Sequence, residues 1–409
     1  MSSAHRKILT YRYERWRAIT SGILETAAIT FLLLIALRAF DAGPIAKGVI
    51  AGGGGLGLML SPMIVAFVGK AGWSPSKAAS RLSVLGAACY LVMALAPSLP
   101  VFMIGSVLAL TATACAIPLL TQMYQENYPE VERGRLFSRT VMIRIAMAAL
   151  FSELGGRMLS HDIQLFRALL VIFSASLAFS AFCLSRCPTQ PLSNSDGSHP
   201  FRALRFAHTD KLFRRTLICW MLMGFANLMM LPMRVEYLGN AKYNLGLKLS
   251  MVALLTGVIP NVARLILSPV WGWLFDKMNF FALRMTLNIG FMIGITSFFT
   301  SDSLPGLIVG AIVFGISNAG GDVAWSLWVT KFSPPDRVAE YMAVHTFFTG
   351  VRGVLAPLAG FFLIAHVSMA VLGWIAAGLI LAATLLLLPE LKYGRHANRA
   401  SALVEEVSE

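Results

Sequence analysis

Charge is what this sequence has least of. Only 13% of its 409 residues are Asp, Glu, Lys or Arg, while 57% are hydrophobic and mean hydropathy is +0.70. A soluble domain carries about a quarter charged residues, so a water-soluble globular fold is set aside and a polytopic membrane protein is expected. Cysteine is also sparse. Cys89, Cys115, Cys183, Cys187 and Cys219 lie in or beside apolar runs, so they imply no disulfide framework. The CxxxC spacing of Cys183 and Cys187 has no histidine support and reads as small buried residues rather than a metal site. HExxH, GxSxG and grouped carboxylates are missing, so no enzyme chemistry, metal or cofactor is expected. The run AGGGGLG at 51–57 has no GKS/T after it and lies inside an apolar stretch, which favours close helix packing over phosphate binding.

What is present is a series of long apolar runs. A membrane-spanning helix needs about 20 such residues, and about twelve stretches qualify. They cover 18–40, 45–68, 81–97, 101–123, 137–159 and 165–184, then 214–237, 250–275, 280–300, 304–330, 341–365 and 369–389. The first is too long for a signal-peptide core, and no small-residue cleavage site follows it. The long polar segment RCPTQPLSNSDGSHPFRALRFAHTDKLFRR separates two sets of six. Its first part reads as a linker, and its basic, aromatic second part as a short amphipathic helix on the membrane surface. The expected organisation is a first six-helix half at 1–184, a cytoplasmic linker at 185–213, a second half at 214–390 and a cytoplasmic tail at 391–409. With the N-terminus inside, 24 of the 34 lysines and arginines fall on the cytoplasmic side, as the positive-inside rule favours. The net charge of +14 is therefore a topology signal. Nucleic acid is not an expected partner, since no water-exposed domain interleaves bases with aromatics. No organellar targeting segment is evident, which makes a bacterial-type plasma membrane the default, with both termini cytoplasmic.

The two sets are related. SPMIVAFVGK begins at Ser61 and SPVWGWLFDK at Ser268, and the same spacing separates Lys70 from Lys277 and Lys77 from Arg284. ERGRLFS after the fourth run parallels DRVAEYM after the tenth, matching Arg133 to Arg337. Repeats of this period imply two homologous halves. Here the sequence resembles the major facilitator superfamily of secondary transporters, whose loop between the second and third helix of each half carries a Gly-x-Leu-x-Asp-basic pattern. Gly272, Leu274, Asp276, Lys277 and Arg284 match it; the first-half copy keeps Lys70 and Lys77 but has Gly69 in place of the acid. The resemblance implies an all-α membrane protein of twelve transmembrane helices in two pseudo-symmetric six-helix bundles, working as a monomer. It also implies a cytoplasmic gating role for Gly272, Asp276, Lys277, Arg284, Lys70, Arg133 and Arg337. The alternative for this charged turn is a topology signal alone. Two departures count against a standard drug/proton antiporter. The fifth helix has FSELGG where that pattern has Gly-Pro-x-x-Gly-Gly, and the fourth run, IGSVLALTATACAIP, has no arginine.

Charge inside a span costs at least ~2.5–3.5 kcal/mol and marks candidate function. Asp322 is the leading candidate, in GISNAGGDVAWSLW, with Asn318 and Trp325 on its face of the helix. Burial lets a carboxylate carry a proton, and an arginine partner opposes this; Arg264 and Arg352 are the candidate partners, and a structural ion pair is the alternative. Glu25 in the first run and Arg144 in the fifth extend the set. Arg144 and Arg352 offer bidentate geometry to an anionic solute. Glu153 reads as an external gate or a paired acid, His345 as structural, and Arg234 with Glu236 as an outer-face pair. Trp220, Trp325 and Trp328 offer flat faces for a planar solute, although packing is the commoner use. The expected function is secondary active transport of a small organic solute by alternating access, with a proton as coupling ion. The alternatives are drug or metabolite efflux, a facilitative uniporter of the same fold, and, further off, a lipid-handling membrane protein or membrane enzyme.

Overall fold

The computed structural model describes residues 3–192, 201–331 and 338–391. Among these there is no strand, and twelve long helical segments follow one another. We number them α1 (Ala4–Arg38), α2 (Pro44–Lys70), α3 (Pro75–Leu95), α4 (Leu99–Asn127), α5 (Glu130–His161), α6 (Ile163–Ser185), α7 (Lys211–Gly239), α8 (Leu249–Phe275, continuing to Lys277), α9 (Phe280–Phe299), α10 (Leu304–Leu327), α11 (Val338–Leu363) and α12 (Met369–Leu387). Eleven are long and apolar enough to cross a membrane. The twelfth, α5, spans 32 residues but carries Arg133, Arg135, Arg139, Arg144 and Arg157, which lower its hydropathy rather than its helicity. This is a multi-pass, all-helical membrane protein.

Local chemistry explains most helix starts. Proline opens α2, α3, α4 and α10 within the first two positions, where its missing N–H costs nothing. Asn279 caps α9 by accepting from the Phe281 and Ala282 amides, and Ser368 caps α12 by accepting from Val371. The first helix begins far earlier than the expected 18. Its basic start is rich in good helix formers and free of Gly and Pro, so the helix runs on past the apolar core. There Arg17 forks onto Glu14 at 2.6 and 2.8 Å, and the Tyr124 hydroxyl donates to the same carboxylate at 2.6 Å. At the same end Lys7 donates to Glu132 at 3.0 Å, a bond that holds the Glu132 carboxyl below the usual carboxylate range. The expected surface helix after the linker is a short 3-10 turn, Arg202–Arg205, running into a single α-helical turn, Phe206–Thr209. Its ring does not face lipid: Phe206 is buried and stacks on Tyr341 at 4.8 Å, and Tyr341 donates to Asp210 at 2.9 Å.

The chain divides into two compact units. One is Met1–Pro200 with Val235–Val258, the other Phe201–Arg234 with Ile259–Glu409. In the first, α1 packs on α5, α2 on α4 and α3 on α6; in the second, α8 packs on α10 and α9 on both α10 and α12. The α2–α4 and α3–α6 pairings thus recur as α8–α10 and α9–α12, as a duplicated half requires. Two π-helical turns interrupt the helices, at Ala27–Phe31 in α1 and Leu254–Val258 in α8. They meet inside the first unit, where the buried Thr30 and Thr256 hydroxyls lie 3.1 Å apart.

The glycine run of α2 serves packing, as its sequence suggests. Thr111 donates to the Gly53 carbonyl at 3.0 Å and the Cys115 thiol to the Gly57 carbonyl at 3.3 Å. A Cβ at Gly57 would collide with the Thr111 carbonyl of α4, whereas one at Gly54 meets nothing within 4 Å. Forced overpacking costs about 1–3 kcal/mol. Gly57→Val therefore lowers the thermal unfolding midpoint of the detergent-purified protein, while Gly54→Ala leaves it unchanged; equal behaviour of the two would contradict this packing.

Candidate functional site

The charged side chains inside the helices sort into four environments. In the second unit, Arg264 of α8 and Asp322 of α10 form a close ion pair, with Nε 2.5 Å from Oδ2. Arg264 also donates to Asn261 Oδ1 at 3.3 Å, and its own carbonyl accepts from Ser268 at 2.6 Å. The pair is lopsided: the Arg264 side chain is 10% exposed and the Asp322 side chain 44%. A held arginine thus presents a carboxylate that can be reached. Of the two partners considered for Asp322, Arg264 is the one in place. Asp322 lies in the last third of α10, with half-buried Asn318 one turn before it. Trp325 turns to His345 instead, at 5.5 Å between rings.

In the first unit, Arg144 of α5 reaches Glu25 of α1, Nε to Oε2 3.0 Å, with 35% and 15% exposure. Arg144 therefore has an acid to hold it. Glu25 ends the last turn before the π-helical segment of α1. Such segments are frequent at functional sites.

The residues expected at the outer face pair differently from expectation. Glu236 does not meet Arg234; neighbours two apart on a helix point to different sides. Glu236 instead accepts from Lys47 of α2 at 2.6 Å and from Asn240 at 2.7 Å. Lys47 and Glu236 are 4% and 2% exposed. Arg234 lies over the Phe314 ring at 4.0 Å. Glu153 bonds to Arg157 on its own helix at 2.6 Å, so it acts as a paired acid. A basin of about 670 Å³ opens beside it, lined by Arg38, Arg157, His161 and Lys248 among others.

The residues expected to gate occupy different settings, each within its own unit. Lys70 and Lys277 close the last turns of α2 and α8 and are exposed. Gly272 faces open space. Arg133 donates to the Gln125 and Tyr128 carbonyls at 3.1 and 3.3 Å, which ties the end of α4 to the start of α5. Arg284 is not in the loop: it lies inside α9, 3% exposed, with Cζ 4.0 Å over the Trp220 ring. Arg352 joins it there, donating to the Trp220 carbonyl and to Thr349. Arg337 and the Asp276 side chain lie outside the described residues. This buried cluster on Trp220 escaped sequence reasoning, because Arg284 resembles one more base of a cytoplasmic loop.

A family model described as Major Facilitator Superfamily matches residues 237–406. No curated protein sequence matches the chain significantly. Solved structures do. The nucleoside transporter NupG is similar over 94% of this chain and 99% of its own, at 12% identity and a TM-score of 0.74. A D-xylose-proton symporter covers 94% and 96% at 15% identity and 0.67, and the human organic anion transporter TETRAN 95% and 100% at 14% and 0.68. The chain thus has the major facilitator fold throughout, and its second half matches that superfamily in sequence.

Breaking a buried ion pair by removing one partner costs about 3–5 kcal/mol, whereas replacing both with apolar residues is close to neutral. Lys47→Ala is therefore strongly destabilising in a chemical-denaturation series, and Lys47→Met combined with Glu236→Leu recovers most of the loss. Additive losses in the double variant would contradict a buried, mutually dependent pair.

Proposed function

We propose, from a chain with the major facilitator fold, that this protein is a secondary active transporter of a small organic solute, not an enzyme. It works by alternating access and is coupled to protons through Asp322. The supporting observation is the Arg264–Asp322 pair, in which a reachable carboxylate is gripped at 2.5 Å by a mostly buried arginine. When a proton binds Oδ2, the charge attraction is lost and Arg264 is released. Asn261 already accepts from Arg264 Nη1 and can hold the guanidinium in the meantime. An acceptor on the solute can then take the vacated N–H. One proton and one solute position are thereby linked, which is the differential affinity that any coupled conformational change needs. Glu25 with Arg144 is a second candidate proton site on the same grounds. Lys70, Lys277, Gly272, Asp276, Arg133 and Arg337 retain the proposed cytoplasmic gating role, with both termini inside a bacterial-type inner membrane and the monomer as the working unit.

The test is transport by proteoliposomes carrying an internal pH dye, screened against pentoses, nucleosides and small carboxylates. The wild type is expected to acidify or alkalinise the lumen with a transported solute. Asp322→Asn is expected to abolish gradient-driven accumulation, by about tenfold or more for a charge-assisted bond, while leaving solute exchange intact. Unchanged pH-dependent transport in Asp322→Asn would remove the proposed coupling. Solute flux without any proton movement in the wild type would make the protein a uniporter.

A further inference from the structure

We infer that the second unit contains a binding site for a small aromatic carboxylate, formed by Arg284, Arg352 and His345 around Trp220. Arg284 comes from α9, Arg352 and His345 from α11, and Trp220 from α7. All four are 1–4% exposed. Arg284 Cζ is 4.0 Å and Arg352 Cζ 5.9 Å from the Trp220 ring, and the His345 ring is 5.3 Å from it. Two guanidiniums thus share one indole inside an apolar bundle.

Their partners are poor. The Nη2 of Arg284 has only the thioether of Met223, at 2.8 Å, and sulfur is a weak acceptor. Arg352 uses a helix carbonyl and the Thr349 hydroxyl. Neither forms an ion pair among the described residues. Arg284 Nη1, Arg352 Nε, His345 Nε2 and Trp220 Nε1 are all buried without a hydrogen-bond partner. Three of these are N–H groups and the fourth, on the imidazole, becomes one in the other tautomer or on protonation. The cluster therefore offers donors and positive charge, and almost no acceptors. A buried charge in this condition is costly until an opposite charge arrives.

The repeat shows what is missing. In the first unit, the arginine of α5 meets Glu25 of α1. The equivalent helices of the second half are α11 and α7. Here the arginine of α11 meets a stretch of α7, CWMLMGFANL, that contains no acid. Gly224 in that stretch makes room for the incoming guanidinium, since a Cβ there would overlap Arg352. The geometry keeps an arginine and omits its carboxylate, so the carboxylate is supplied by the ligand. A planar carboxylate takes two N–H bonds at once from a guanidinium edge. The apolar body that accompanies it is matched by flat rings, since Trp325 and Trp328 stand 5.5 and 5.0 Å from His345.

The role of this site as the solute's anchor rests on the transporter reading; the binding does not, because it can be measured in detergent where nothing is transported. Sodium benzoate is the probe, titrated into the purified full chain and read by tryptophan fluorescence and by thermal unfolding. Benzoate is expected to quench saturably and to raise the unfolding midpoint. Benzamide, which has the same ring and no charge, and inorganic phosphate, which has charge and no ring, are expected to do neither. Arg284→Gln and Arg352→Gln each remove an unpaired buried charge, so both are expected to fold, with benzoate affinity weakened about tenfold or more. Trp220→Phe is the second variant: it keeps the wall, removes one indole and its N–H, and is expected to reduce both the quenching and the thermal shift. Equal responses to benzoate and benzamide, equal responses to benzoate and phosphate, or undiminished affinity in both arginine variants would each overturn the proposal. So would a marked gain of benzoate affinity in Asp276→Asn, which would assign the cluster to that carboxylate of the chain itself. Benzoate binding with no transport of any carboxylate would leave the site standing and count against the transporter reading.

Discussion

A charged group within an apolar helix bundle must find an opposite charge, a dipole or water, because the surrounding chain and lipid offer none. In a sequence with so few charges, this constraint decides where each one goes. Lys47 and Glu236 satisfy it by complete mutual burial. Arg234 turns to the face of Phe314. Arg264 and Asp322 satisfy it by a short bond with one partner left reachable. Arg284 and Arg352 barely satisfy it at all. These are different answers to the same physical problem: a sealed pair, a pair with one carboxylate left reachable, and a cluster that meets no opposite charge among the described residues.

Duplication of a six-helix half gives the molecule its frame, and its intrahelical charges depart from that duplication. The pairings of α2 with α4 and α3 with α6 return as α8 with α10 and α9 with α12. The side chains at those pairings are not repeated. Glycines bring α2 against α4 and Gly315 brings α10 against α8, but only the second pairing adds an ion pair, Arg264 with Asp322, among the described residues. Glu25 and Arg144 join α1 to α5, whereas the corresponding α11 arginine meets the backbone of α7. The Glu25–Arg144 pair of the first half and the Arg264–Asp322 pair of the second therefore lie on non-equivalent helices.

Much of the frame was legible because it rests on local, one-dimensional signals. Apolar runs of sufficient length, prolines at helix starts and the repeated Ser-Pro and Lys spacings indicate twelve helices in two sets. The glycine run was correctly read as packing. Long-range partners were less legible. Arg234 and Glu236, two residues apart, suggest a pair, but helix geometry sends them to different neighbours, and the partner of Glu236 lies far away in sequence. Arg284 sits at the spacing of a loop base, yet it is turned into the bundle, where only the packing of three helices reveals Trp220 beneath it. Arg264 and Arg352 were equal candidates for Asp322 because both lie within spans, and sequence contains nothing about the depth or rotation that separates them. The basic start of α1 failed for a different reason: hydropathy detects the membrane core of a helix, not its extension into water.

The central claim is that the intramembrane carboxylate of Asp322 exchanges a proton against the grip of Arg264. Infrared difference spectroscopy on the membrane-reconstituted protein tests it without any solute. On acidification, the wild type is expected to gain a protonated-carboxyl stretching band that Asp322→Asn lacks. The same band, titrating at the same pH in wild type and Asp322→Asn, would contradict the account.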